Sequence, residues 1–151
     1  MKTISLTLFV LLFLSISVNA QTVDYKFMKS LVALSDSSAN VSIRNSGYRA
    51  LPQGEYQFVK DNRILQRVYF VKGNVEADQK NTYWAFQARG KKEFSGLFKN
   101  IKKGAVKKEG TRFGKSKTEY KSKDGLYFYP FEDSSIKNFY WIYASKESLL
   151  D

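Results

Sequence analysis

The first apolar run, Ile4 to Val18, follows a lone cation at Lys2 and closes on Val18, Asn19 and Ala20. A charge, an apolar core and small side chains at the last and third-last positions predict a cleavable secretory signal over residues 1–20, leaving one domain over 21–151. As a membrane anchor the run is short, because a span takes about 20 apolar residues, and Ser5, Thr7, Ser15 and Ser17 interrupt it. The next pattern is helical. Val23, Phe27, Leu31 and Leu34 fall on one face of a 3.6-residue period, with Thr22 placed to cap it. Ser35 to Asn40 then reads as a polar turn cluster.

From Gly54 onward the period shortens towards two. Glu55 to Phe58 alternates, Asp61-Asn62 supplies a turn, and Ile64 to Lys72 is rich in β-branched and aromatic residues. Gly73-Asn74 reads as another turn, followed by strands expected over Thr82–Ala88, Glu93–Lys99, Leu126–Phe131 and Ile136–Ala144. Only Pro52 and Pro130 occur, so few breakers interrupt these runs. The expected fold is mainly β: an antiparallel meander, a small barrel or a sandwich, with a short N-terminal helix. In Phe139-Tyr140-Trp141-Ile142-Tyr143 alternation places aromatics on both faces of a strand, one face covered and the other partly wet. An outer-membrane barrel ranks low, since it needs strands of about 9–11 residues throughout.

Composition narrows the chemistry. Without cysteine there is neither a disulfide framework nor a lipid-modified cysteine, and a domain of this length buries a core without staples. A cysteine-free exported chain fits a bacterial source better than an animal or plant one, with the periplasm or the medium as destination. The chain also lacks histidine, and the two absences together remove imidazole triads, thiolate nucleophiles and metal sites needing histidine nitrogen or cysteine sulfur. Carboxylates remain, but Glu132-Asp133 reads as a hairpin turn, and Glu76 with Asp78 completes no recognised motif. No phosphate loop, dinucleotide fingerprint or calcium loop appears, so no cofactor or metal is expected. A small hydrolase working through carboxylates is the lesser alternative.

Charge changes the picture more. The net charge is +11, and residues 89–123 hold thirteen basic residues against three acidic ones. Outside that stretch the mature chain is balanced. Lys91, Lys92, Lys99, Lys102, Lys103, Lys107, Lys108, Arg112, Lys115 and Lys117 are therefore the candidate polyanion-binding residues, with Phe94, Phe98, Phe113 and Tyr120 as aromatic contacts on which planar groups stack. Lysine outnumbers arginine, which favours loose, salt-sensitive attraction over bidentate recognition. Lysine also has a non-binding use, guarding exposed strand edges against aggregation. The expected function is an exported, non-catalytic module whose cationic surface meets an anionic polymer of the envelope or the medium. A partner of another kind, a second exported protein bound through strand edges or the aromatic strands, is the alternative.

One stretch carries a family likeness. Phe94-Ser95-Gly96-Leu97-Phe98-Lys99-Asn100 resembles the opening of a MORN-type repeat, with aromatic, glycine and aromatic at the repeat's spacing, although Ile101 stands where its next glycine belongs. Tyr69 to Gly73 and Tyr120 to Gly125 echo it at irregular spacing. The resemblance implies an interaction protein built from β-hairpin repeats.

Overall fold

The computed structural model describes residues 23–73, 81–112, 115–132, 136–137 and 139–150. The expected signal segment, the Thr22 cap, the Gly73-Asn74 turn, Glu76, Asp78, Phe113 and the Asp133 side of the Glu132-Asp133 turn lie wholly or partly outside them. Among the described residues the chain is a mixed α/β domain: three α-helices and one open, eight-stranded antiparallel sheet. Its elements run α1 (Tyr25–Ala33), α2 (Asp36–Asn45), β1 (Arg49–Ala50), β2 (Glu55–Lys60), β3 (Arg63–Val71), β4 (Tyr83–Ala88), α3 (Lys91–Lys102), β5 (Ala105–Arg112), β6 (Lys115–Ser122), β7 (Tyr127–Glu132) and β8 (Tyr140–Ser145), with a single 3₁₀ turn at Pro52–Gly54.

The strand order is β1-β2-β3-β4-β8-β7-β6-β5. Two four-stranded meanders, each led in by helix, thus meet where their last strands pair, Phe86 opposite Ile142. The expected antiparallel meander is present twice. Neither a barrel nor a sandwich forms, because β1 and β5 remain as the two edges of one sheet.

Helix α1 buries Phe27 and Leu31 of its expected stripe together with Met28 and Val32, whereas Leu34, expected on that stripe, is the exposed C-cap; Asp24 caps the start by accepting from the Phe27 amide at 2.7 Å. Two expectations are corrected. Ser35–Asn40 is not a turn cluster: Ser35 caps a second helix, whose Ala39 and Ile43 reach the core from a polar surface. Nor is Glu93–Lys99 a strand. It lies within α3, where Phe94, Leu97 and Ile101 form a buried 3.6-period stripe, and Glu93 folds back onto the Arg89 amide at the helix start. The MORN-like stretch is therefore helical, and the Phe94–Gly96–Phe98 alternation is a coincidence of helical spacing.

All three helices pack on the same side of the sheet. Phe27, Leu31, Ile43, Leu97 and Ile101 join Tyr56, Val68, Phe86, Phe128 and Ile142 in one core cluster. Within it Gln66, 3% exposed, bonds through both ends of its amide: its Oε1 accepts from the Tyr48 hydroxyl (2.8 Å) and the Val23 amide (3.3 Å), while its Nε2 donates to the Gln87 carbonyl. Burial raises the Tyr48 pKa strongly, so the hydroxyl stays protonated as a donor. No helix among the described residues is long and apolar enough to cross a membrane.

Candidate functional site: the helix-free face of the sheet

Because side chains alternate across a strand, the register that sends Phe86, Ile142 and Phe128 to the helices sends their neighbours the other way. On that second face one cross-strand row reads Glu55, Tyr69, Ala85, Tyr143 and Tyr129. Beside it Gln87 pairs with Trp141, and Trp141 with Phe131. The rings touch in series. Tyr69 meets Trp141 at 5.5 Å, Trp141 meets Phe139 at 5.8 Å, Phe139 meets Phe131 at 6.1 Å, and Phe131 stacks on Tyr143 at 5.8 Å, as does Tyr129. This aromatic seam crosses β3, β8 and β7 and is only half-buried at Tyr69, Phe131, Phe139 and Tyr143.

Cations flank it. Strand β6 presents Lys115, Lys117 and Lys121 on this face, with Lys117 Nζ 5.9 Å from the Phe131 ring and Lys121 Nζ 5.3 Å from that of Tyr127. Arg112 lies 5.6 Å over Tyr83 and 5.5 Å over Tyr129. On the far side Arg67 stands 3.5 Å from Glu55. Burial pushes the Tyr143 hydroxyl up to about 12 and raises those of Tyr129 and Tyr69, so the seam is neutral and its hydroxyls are donors at physiological pH. Trp141 is 8% exposed, and its buried indole Nε1–H has no acceptor among the described residues.

Residues 146–150 leave β8 and fold back over one end of this face. Leu149 and Leu150 bury themselves with Tyr129 against Tyr83, Phe131 and Tyr143. Glu119, fully buried, accepts from the Leu149 amide at 3.0 Å and from the Ser148 hydroxyl, and Arg112 donates to the Leu149 carbonyl at 2.7 Å. Gly110 lies beneath Leu150, where an added Cβ would sit 3.0 Å from its Cδ1. A side chain at 110 would require Leu150 to give way by a few tenths of an ångström.

The sequence-level candidates do not form one surface. Lys91, Lys92, Lys99, Lys102 and Lys103 line the solvent side of α3, and Lys107 on β5 points to that same side of the sheet and pairs with Glu109. That pair raises the Lys107 pKa and lowers that of Glu109 through their shared hydrogen bond. Lys108, Arg112, Lys115 and Lys117 occupy the opposite face, with Lys108 3.6 Å from Glu119. Among the aromatic candidates Phe94 is 8% exposed, packed between Phe98 and Tyr140. Phe98 and Tyr120 are half-buried against each other on the helix side, the former under Lys102. Residue 113 is outside the described set.

Sequence reasoning missed Tyr69, Glu119 and Gly110 as parts of a site. The signal for the rings was the alternation in β7 and β8; Glu119 gave none, since a glutamate amid lysines reads as solvated. Elsewhere a concavity of about 390 Å³ carries Asp36 and Glu147, both exposed, at its rim. Among the described residues no group of three or more acidic side chains is arranged to hold a metal. No family model, curated protein or solved structure matches the chain.

Proposed function

We propose that the chain is an exported, non-catalytic binding module that holds an anionic partner on the helix-free face of its sheet. Export rests on the residue 1–20 pattern. The contact surface rests on one observation: a continuous aromatic seam, flanked by Lys115, Lys117 and Lys121, on the side that the three helices leave uncovered. Aromatic residues at the centre with cations at the rim make the composition of a recognition surface. Among the described residues those three lysines have no carboxylate within 4.0 Å, so their charge is available to a ligand.

A second reading has its own observation. Lys91, Lys92, Lys99, Lys102 and Lys103 are exposed along α3 and likewise lack a carboxylate within ion-pair distance among the described residues. An anionic envelope polymer lying along α3 is therefore the alternative. Retention of the full chain on immobilised poly-L-glutamate and on heparin separates the two, using variants of equal charge. Lys115→Gln/Lys117→Gln/Lys121→Gln is expected to elute from poly-L-glutamate at clearly lower salt than Lys92→Gln/Lys99→Gln/Lys103→Gln. Equal shifts would make retention a matter of net charge alone and remove the site; a larger shift from the α3 variant would select the second reading.

A further inference from the structure

The helix-free face already holds a peptide segment, its own residues 147–150. The segment is outside the sheet ladder. It is held by two leucines lying on Tyr83, Tyr129, Phe131 and Tyr143, and by side chains that grip its backbone: Glu119 takes the Leu149 amide, Arg112 gives to the Leu149 carbonyl, and Asn81 gives to the Ser148 carbonyl. Lys108 adds a hydrogen bond to the Ser148 hydroxyl at 3.1 Å. A donor, an acceptor and an apolar bed directed at one strand of peptide are what an extended-peptide site requires, and a glycine at 110 clears room for the second leucine. In the sequence Glu147 and Asp151 flank the leucine pair, and the cations that meet the segment, Lys108 and Arg112, do so at Ser148 and Leu149.

We infer that this bed is a peptide-binding site for an extended segment of a partner protein bearing adjacent leucines flanked by acidic residues, and that residues 147–150 are its resident, displaceable occupant. The inference rests on the helix-free face being the contact surface and names the partner's class. A tethered segment acts at an effective concentration in the millimolar range, so it holds the site against weak competitors and yields to a ligand that also engages the seam and the lysines beyond it.

The probe is a fluorescein-labelled peptide, Lys-Glu-Ser-Leu-Leu-Asp, followed by anisotropy with the full chain. Leu149→Ser/Leu150→Ser vacates the bed and is expected to bind the peptide at least tenfold more tightly than wild type does, and more tightly than a scrambled peptide. A second pair guards against misfolding of that variant. The chain has no cysteine of its own, and Gly110→Cys/Leu150→Cys joins positions whose Cβ atoms lie about 3.2 Å apart, close enough for a disulfide after a small shift. Oxidised, it pins the segment and is expected to exclude the peptide; reduced, it has lost one leucine anchor and is expected to admit it. Absence of peptide binding by both Leu149→Ser/Leu150→Ser and the reduced pair, or equal binding of the scrambled peptide, overturns the inference. The poly-L-glutamate result of the lysine variants is independent of that outcome, so the two readings fail separately.

Discussion

Glu119 offers the sharpest energetic test of how the segment 146–150 is held. It is the one carboxylate with no exposed surface among the described residues, and its two oxygens accept from the Leu149 amide (3.0 Å) and the Ser148 hydroxyl. Its ion pair with Lys108 is long, at 3.6 Å, and Lys108 is 53% exposed, so that contact contributes about 0–1 kcal/mol. The two hydrogen bonds dominate. Glu119→Leu keeps the volume but removes both acceptors, leaving two donors to be rehydrated or left unpaired at about 1–3 kcal/mol each. Glu119→Gln retains one acceptor oxygen and is expected to cost about half as much. At this size a loss of 1 kcal/mol lowers Tm by about 4 °C, so Glu119→Leu should melt about 8 °C or more below wild type by circular dichroism and Lys108→Gln within about 2 °C of it. Exchange of the Leu149 amide should speed up in both Glu119 variants. A Glu119→Leu protein melting like wild type, or a Lys108→Gln protein losing as much, would refute the assignment of the segment's anchor to this carboxylate.

Three further outcomes follow from the geometry. Gly54 sits at φ +76°, and an added Cβ would lie 2.3 Å from the Phe70 carbonyl oxygen; Gly54→Ala should therefore cost at least about 1–3 kcal/mol in chemical denaturation, whereas Gly96→Ala, with open space around it, should be stabilising by up to about 1 kcal/mol. Gln66→Leu removes the acceptor of the Tyr48 hydroxyl and the Val23 amide, and a loss of about 2–4 kcal/mol is expected in the same assay. Burial pushes the Tyr143 hydroxyl up to about 12 and shifts Tyr48, Tyr56, Tyr69 and Tyr129 in the same direction. A raised folded pKa favours the protonated folded state, so the contribution of these tyrosines is complete below pH about 10 and is lost as pH rises through their folded values. Urea midpoints should fall from pH 10 to 12, less steeply in Tyr143→Phe.

What the sequence made legible follows from how strongly each element declares its period. Strands β2, β3, β4, β7 and β8 carry aromatic or β-branched runs between turn residues, and all were foreseen; so was the split of Tyr140 and Trp141 to opposite faces. Helix α3 was misread because Phe94 and Phe98 with Gly96 mimic alternation, while its true stripe includes Leu97 and Ile101. Helix α2 hid behind serines that favour turns and caps alike. The β5–β6 hairpin was invisible as structure: its lysines, glutamates and serines show no hydrophobic period, and it forms because β6 pairs with the aromatic strand β7, Tyr120 opposite Phe128. For the same reason the basic stretch looked like one surface. Alternation in that hairpin divides it, placing Lys107 with the helices and Lys108 with the seam, a division set by register rather than composition.

The most direct measurement follows the backbone amides and the two tryptophan indole protons by NMR while poly-L-glutamate is added to the isotopically labelled full chain. Binding on the helix-free face should move the Trp141 indole signal and the amides of β6, β7 and β8, and leave the Trp84 indole, inside the core, in place. Shifts confined to the α3 amides from Lys91 to Lys102, with the Trp141 indole unmoved at saturation, would contradict the account.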